Sequence, residues 1–191
     1  MKRRYLNLVK EIALRRPQTI MEIGTWDARH ASDMIREAQK HHKVITYHGF
    51  DIFEGIDKDV REKELHVKRI IREGDARKVL GGLGAEIHLY VGYTTDTLPE
   101  FKPDAPIDFV YIDGGHSLET IENDWRYVSR LMNSETVVVF DDYYSGVSSE
   151  GCLVTIEAIK NNPIYKVEHL HPIDSSNSGR TIQLIKVTKV R

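Results

Sequence analysis

The sequence predicts one doubly wound α/β domain, because short apolar strands alternate with amphipathic helices and because the last two strands follow one another without a helix. Alternation of the two element types implies a mostly parallel sheet with helices on both faces. The direct connection at the end implies that the last strand runs antiparallel. A length of 191 residues, 40% of them hydrophobic and 29% charged, supplies one full core and little for a second, so the domain is expected to span residues 1–191.

Each element has its own pattern. Tyr5, Leu8, Val9 and Ile12 share a helical face that Pro17 ends, so residues 1–16 are expected to pack on the core as an N-terminal helix. Thr19 to Ile23 reads as a short buried strand closed by Gly24, and a helix follows from about Ala28, with Ala31, Met34, Ile35 and Ala38 at helical spacing. Val44 to Phe50 forms a second strand ending at Asp51. Asp57 to Glu73 is charge-rich, with Val60, Val67, Ile70 and Ile71 as a thin stripe, which predicts a surface helix with a solvated face. Glu86 to Val91 and Ile107 to Ile112 read as strands three and four. Leu118, Ile121, Trp125, Val128 and Met132 mark the clearest helix, which Ser117 can cap. Thr136 to Phe140 is a β-branched run suited to a central strand covered on both faces. A helix from about Cys152 to Lys160 precedes the last two strands, Tyr165 to Leu170 and Thr181 to Val187, joined around Ser175 to Gly179.

Charge and composition narrow the setting. A formal net charge of −2 gives no global basic field for nucleic acid or a membrane surface. Lys10, Glu11, Arg15 and Arg16 interrupt what would otherwise be the apolar stretch of a signal peptide, and no run reaches the ~20 apolar residues that span a bilayer. Cys152 is the single cysteine, so no intrachain disulfide forms, and a cytoplasmic location is expected. A homodimer is compatible with the sequence.

Chemistry concentrates in two places. Glu22-Ile23-Gly24-Thr25-Trp26 lies where the first strand turns into the first helix, and ligands of open α/β sheets bind beyond such strand ends. A dinucleotide site wants a second glycine where Trp26 stands, and an acid before the glycine is unwelcome beside phosphates. S-adenosylmethionine carries an ammonium and a sulfonium, which a carboxylate such as Glu22 favours. Asp51 can accept hydrogen bonds from both ribose hydroxyls, although a loop or capping role would also explain it.

The second place is Asp113-Gly114-Gly115-His116 after strand four, facing Asp141-Asp142 after strand five. Three carboxylates on neighbouring strands repel unless they are protonated, paired or neutralised by a cation. A hard divalent ion fits such oxygens: Mg²⁺ first, with Mn²⁺ or Ca²⁺ as substitutes. His116 can act as a base, a ligand or a cap. The bland alternative is that Asp113 and Asp142 merely hold loops through backbone amides.

These residues resemble a known family. Glu22-Ile-Gly-Thr-Trp-Asp-Ala-Arg, Gly49-Phe-Asp51, Asp108-Phe-Val-Tyr-Ile-Asp-Gly-Gly-His116 and Val137-Val-Val-Phe-Asp-Asp-Tyr143 look like class I methyltransferases of the methyltransferase domain 24 type, relatives of the macrocin and catechol O-methyltransferases. The resemblance implies a Rossmann-like seven-stranded sheet of order 3-2-1-4-5-7-6 and S-adenosylmethionine as methyl donor. It places a metal at Asp113, Asp141 and Asp142, and places Gly92-Tyr93-Thr94 beside the adenine. His116 stands where the catechol enzymes have a lysine, which leaves the base open between His116 and Asp113, and Ala28 replaces a usual glycine. The expected function is metal-assisted O-methylation of a hydroxylated small molecule, a sugar or secondary metabolite. The alternatives are a non-catalytic cofactor-binding or regulatory module on the same fold and, disfavoured by Trp26 and Glu22, an NAD-linked oxidoreductase.

Overall fold

The computed structural model describes residues 2–64, 69–175 and 179–190. Its strands are β1 (Thr19–Ile23), β2 (Thr46–Asp51), β3 (Glu86–Val91), β4 (Phe109–Ile112), β5 (Val137–Tyr144), β6 (Tyr165–His169), β7 (Asp174–Ser175) and β8 (Thr181–Lys189). They form one sheet in the order β3-β2-β1-β4-β5-β8-β6, with β7 pairing β8 off this path. Strands β1 to β5 are parallel, and β8 runs antiparallel between β5 and β6. The expected order holds, since the two-residue β7 only renumbers the last strand. The expected connection around Ser175 to Gly179 lies partly outside the described residues, at 176–178.

The helices are α1 (Tyr5–Arg15), α2 (Arg29–Ala38), α3 (Lys58–Lys63), α4 (Glu73–Gly81), α5 (Thr94–Glu100), α6 (Leu118–Leu131) and α7 (Leu153–Lys160). Alternation along the strands divides the core between the two faces of the sheet. Ile20, Phe109, Tyr111 and Val139 pack with Leu8 and Ile12 of α1, Met34 and Ile35 of α2, and Leu80 of α4. Met21, Val110, Val138 and Phe140 face the other way, towards Leu98 of α5, Ile121 and Val128 of α6, and Ile156 of α7. Ser117 caps α6 by accepting from Thr120 N at 3.3 Å.

Three expectations need correction. The charge-rich stretch 57–73 is not one helix: α3 ends at Lys63 and α4 begins only at Glu73, with Val67 outside the described residues. Its stripe was too thin to sustain a helix, for Ile70 is exposed while Ile71 is buried. Helices α4 and α5 were not anticipated, because α4 buries only Ala76 and Leu80 and α5 contains Pro99. Strand β5 also runs past Phe140. Asp141 and Asp142 sit inside it at a register shift, after which Tyr143 and Tyr144 pair with β8 again.

Among the described residues no helix is long and apolar enough to cross a membrane. Ile12 is fully buried against the sheet, so Ile12→Ala is expected to cost about 2–5 kcal/mol in urea denaturation. A loss near zero would mean that α1 is an appendage and not part of the core.

Candidate active site

The turn from β1 into α2 is set by backbone strain. Gly24, Trp26 and Ala28 all have positive φ, at 93°, 44° and 59°. A Cβ on Gly24 would stand 2.1 Å from the Asp113 carbonyl oxygen, so only glycine lets the exits of β1 and β4 touch. Gly24 is therefore first a structural residue. The left-handed Ala28 explains why a glycine is the easier occupant there.

Asp51, at the end of β2, holds this loop. Its Oδ2 accepts from Trp26 N at 2.7 Å and its Oδ1 from Phe53 N at 2.6 Å. Burial raises its pKa, and the backbone donors counteract that. Each oxygen keeps a second lone pair for a ribose hydroxyl. The Trp26 indole donates to the Arg69 carbonyl at 2.8 Å, so the aromatic ring is anchored to the segment that follows α3.

Glu22 differs from its expected role. It is buried, accepts from Tyr47 Oη, and does not line the cavity described below. Tyr47 also meets Thr25 Oγ1 at 3.1 Å, which makes a Glu22–Tyr47–Thr25 chain beneath the loop. Burial pushes the Glu22 carboxyl up to about 8, outweighing the Tyr47 hydrogen bond.

At the other edge, Asp113, Asp141 and Asp142 each place an oxygen within 4.8 Å of the others. The expected convergence is therefore present. Its main counter-charge comes from the N-terminus: Arg4 Nε donates to Asp141 Oδ1 at 2.9 Å and Arg4 Nη2 to Oδ2 at 3.1 Å, with both residues buried. Tyr111 Oη and Asp142 N also donate to Asp141, at 3.0 and 2.7 Å. These four donors fill the carboxylate. Burial alone would raise the Asp141 pKa, but the Arg4 charge and fork hold it below the usual carboxylate range. Asp142, at φ 57°, moves the opposite way through burial and its neighbour Asp141. It stands 3.1 Å from His116 Nδ1 and accepts from Tyr144 Oη at 2.8 Å. Arg4 carries no sequence signal, since it precedes its partner by 137 residues.

A cavity of about 450 Å³ opens over these strand ends, within the range of small-molecule sites. Of the expected residues, Gly24, Thr25, Trp26, Asp51, Gly92, Tyr93, Thr94, Asp113 and His116 line it, while Asp141 and Asp142 do not, although each places an oxygen within 4.8 Å of one on Asp113. Glu64 and Asp124 also line it and were not anticipated. Glu64 accepts from His116 N at 2.6 Å, Ser117 N at 2.8 Å and Thr120 Oγ1 at 2.5 Å, tying the end of α3 to the first turn of α6.

Residues 21–143 match the methyltransferase domain family of type 24, and the chain belongs to that family. It is a class I S-adenosylmethionine-dependent methyltransferase. No curated protein matches the chain in sequence. Among solved structures, the fold is shared with the O-methyltransferase TomG from Streptomyces achromogenes, involved in tomaymycin synthesis, at TM-score 0.70 and 15% identity over 97% of this chain and 79% of that one. An O-methyltransferase from Bacillus cereus in complex with S-adenosylhomocysteine gives 0.68 and 16% over 97% and 80%. An rRNA methylase from Streptococcus thermophilus gives 0.64 and 9% over 100% and 99%. At these identities the likeness is one of fold.

Two measurements test the electrostatics. Arg4→Met leaves Asp141 buried and unpaired, and is expected to cost about 3–5 kcal/mol near neutral pH. Adding Asp141→Leu should recover most of that loss; no loss in Arg4→Met would show that the pair is not formed. The Glu22 proton acts through pH. A carboxyl raised from 4.5 to about 8 on folding stabilises fully below 4.5, and that contribution is lost as pH rises through 8. Glu22→Gln cannot ionise, so its stability should fall less than wild type between about pH 5 and 9. Parallel curves for the two proteins would remove Glu22 as the cause.

Proposed function

We propose that this enzyme transfers the methyl group of S-adenosylmethionine to a hydroxyl oxygen of a small molecule, a sugar or secondary metabolite. The observation that carries this reading is Asp113 and His116 side by side on the cavity wall, with Asp142 3.1 Å from His116 Nδ1. A carboxylate this close to Nδ1 favours a proton on that nitrogen through its charge, which leaves Nε2 to accept one from the acceptor. The cofactor supplies an electrophilic methyl on a sulfonium and leaves as S-adenosylhomocysteine. The acceptor oxygen forms the new C–O bond as the C–S bond breaks, and the hydroxyl proton passes to His116, with Asp113 as the other candidate base. Gly24, Thr25, Trp26, Asp51, Gly92, Tyr93, Thr94 and Asp113 form the cofactor cradle, and Glu22 supports it from below.

A divalent cation, Mg²⁺ first and Mn²⁺ or Ca²⁺ as substitutes, fits this edge in part. Asp141 is filled by its four protein donors, so Asp113 and Asp142 are the ligands with capacity, and water and acceptor oxygens complete the shell. Such an ion would lower the acceptor pKa and align its oxygen. The net charge of −2 favours neither nucleic acid nor membrane as partner, and the buried Cys152 suits the cytoplasm.

Calorimetry with S-adenosylhomocysteine tests the cradle. Asp51→Ala should weaken binding by roughly tenfold or more, and equal affinity in the folded variant would sink the site. With cofactor bound, Mg²⁺ is expected to bind wild type more tightly than Asp142→Asn. If no ion binds at millimolar levels, the metal is removed and His116 with Asp142 remains as the proton acceptor.

A further inference from the structure

A second cavity, of about 240 Å³, lies in the cleft between α6 and α7. Trp125 and Arg126 of α6 line one side of it, Thr155, Ala158 and Ile159 of α7 line the other, and Tyr165 at the start of β6 joins them. It shares no lining residue with the cavity over the strand ends, which meets α6 at Glu119, Thr120 and Asp124. The two are separate sites.

Two features of this cleft do not serve packing. Thr155 is 3% exposed, and its hydroxyl oxygen is buried with no hydrogen-bond partner among the described residues. Leaving a buried hydroxyl unpaired is unfavourable, and valine has the same shape without that penalty. Trp125 and Tyr165 meet edge to face with ring centroids 5.1 Å apart, yet both are only half-buried, so aromatic surface is left open on the cleft wall.

These features define a ligand. The volume lies below that of a drug-sized site and suits a single substituted ring. The open aromatic surfaces favour a second aromatic ring in offset or edge contact. Thr155 both donates and accepts, so it needs a group that can reciprocate. Glu122 and Arg126 line the cleft with opposite charges, which gives no preference for a charged molecule.

We propose that the α6–α7 cleft binds a small neutral molecule of the phenol type, whose hydroxyl pairs with Thr155 and whose ring lies against Trp125 and Tyr165. This does not depend on the cofactor reading. Gly151 N, just before α7, donates to the His116 carbonyl at 2.9 Å, and Cys152 N donates to the Asp142 carbonyl at 3.2 Å. The ligand therefore sits between two helices that both start at the acid edge.

Phenol and toluene are the probes, titrated into the isotope-labelled full chain and followed by NMR chemical shifts. Phenol is expected to move the signals of Thr155, Tyr165 and the Trp125 indole, with a dissociation constant of about 1 mM or tighter, and to leave the Trp26 indole in place. Ala158→Phe, at an exposed position of the cleft wall, should abolish these shifts by filling the space. Thr155→Val should lower the affinity ratio of phenol to toluene about tenfold while melting no lower than wild type without ligand. A wild type unmoved by about 10 mM phenol, shifts confined to the cavity over the strand ends, or shifts undiminished in Ala158→Phe overturn the site. A ratio unchanged in Thr155→Val overturns the pairing with the hydroxyl and with it the phenol assignment. Should Thr155→Val not fold, the same ratio in Thr155→Ala decides: a fall supports the assignment, and an unchanged ratio overturns it.

Discussion

Five carboxylates lie along one edge of the sheet on four neighbouring strands: Glu22 within β1, Asp51 ending β2, Asp113 just beyond β4, and Asp141 and Asp142 at the irregularity inside β5. Parallel β geometry puts these strands side by side about 4.8 Å apart, so the mutual repulsion of the carboxylates has to be resolved locally. The chain uses a different device at four of them. Glu22 keeps its proton, Asp51 takes backbone amides, Asp141 takes Arg4, and Asp142 faces His116. Each device also bears on the site: Glu22 steadies Tyr47 and Thr25, Asp51 shapes the loop around Trp26, and Asp142 places its charge 3.1 Å from the imidazole.

The Arg4 solution ties the segment before α1 to the acid edge of the sheet. The backbone amides of Arg3 and Arg4 both donate to Asp174 at 3.1 Å, and Arg4 Nη1 reaches the same carboxylate at 3.4 Å. The segment before α1 is thus clamped between the end of β5 and the short β7. Val139 and Asp141, two residues apart, point to the α1 face of the sheet, where Arg4 enters. This explains why Asp141 does not line the cavity.

The fold was legible because its signals are local. Alternating apolar strands, the Ser117 cap and the Gly24 turn are written in consecutive residues, while the strand order came from the family resemblance. Asp51 and Asp113 were legible for the same reason, as each stands at a strand exit, and His116 follows in the same short loop. Arg4, Glu64 and Asp124 were not. Arg4 and Glu64 act on partners 137 and 52 residues away, and Asp124 reads as one more charge on an amphipathic helix until its burial is seen. The extent of β5 was missed because an acidic pair resembles a strand end, whereas Asp142 at positive φ lets the strand bulge and continue.

The division of labour at the acid edge changes what a metal would contribute. Three unpaired carboxylates need a cation for stability alone, but Arg4 has already met that need for Asp141. The remaining demand is smaller, and Asp142 already stands beside an imidazole. On the proposed reading, an ion held there would serve the acceptor oxygen and not the fold. Any dependence on metal would then belong to catalysis and vary with the acidity of the acceptor hydroxyl, whereas dependence on Arg4 belongs to stability and would be the same whatever the acceptor.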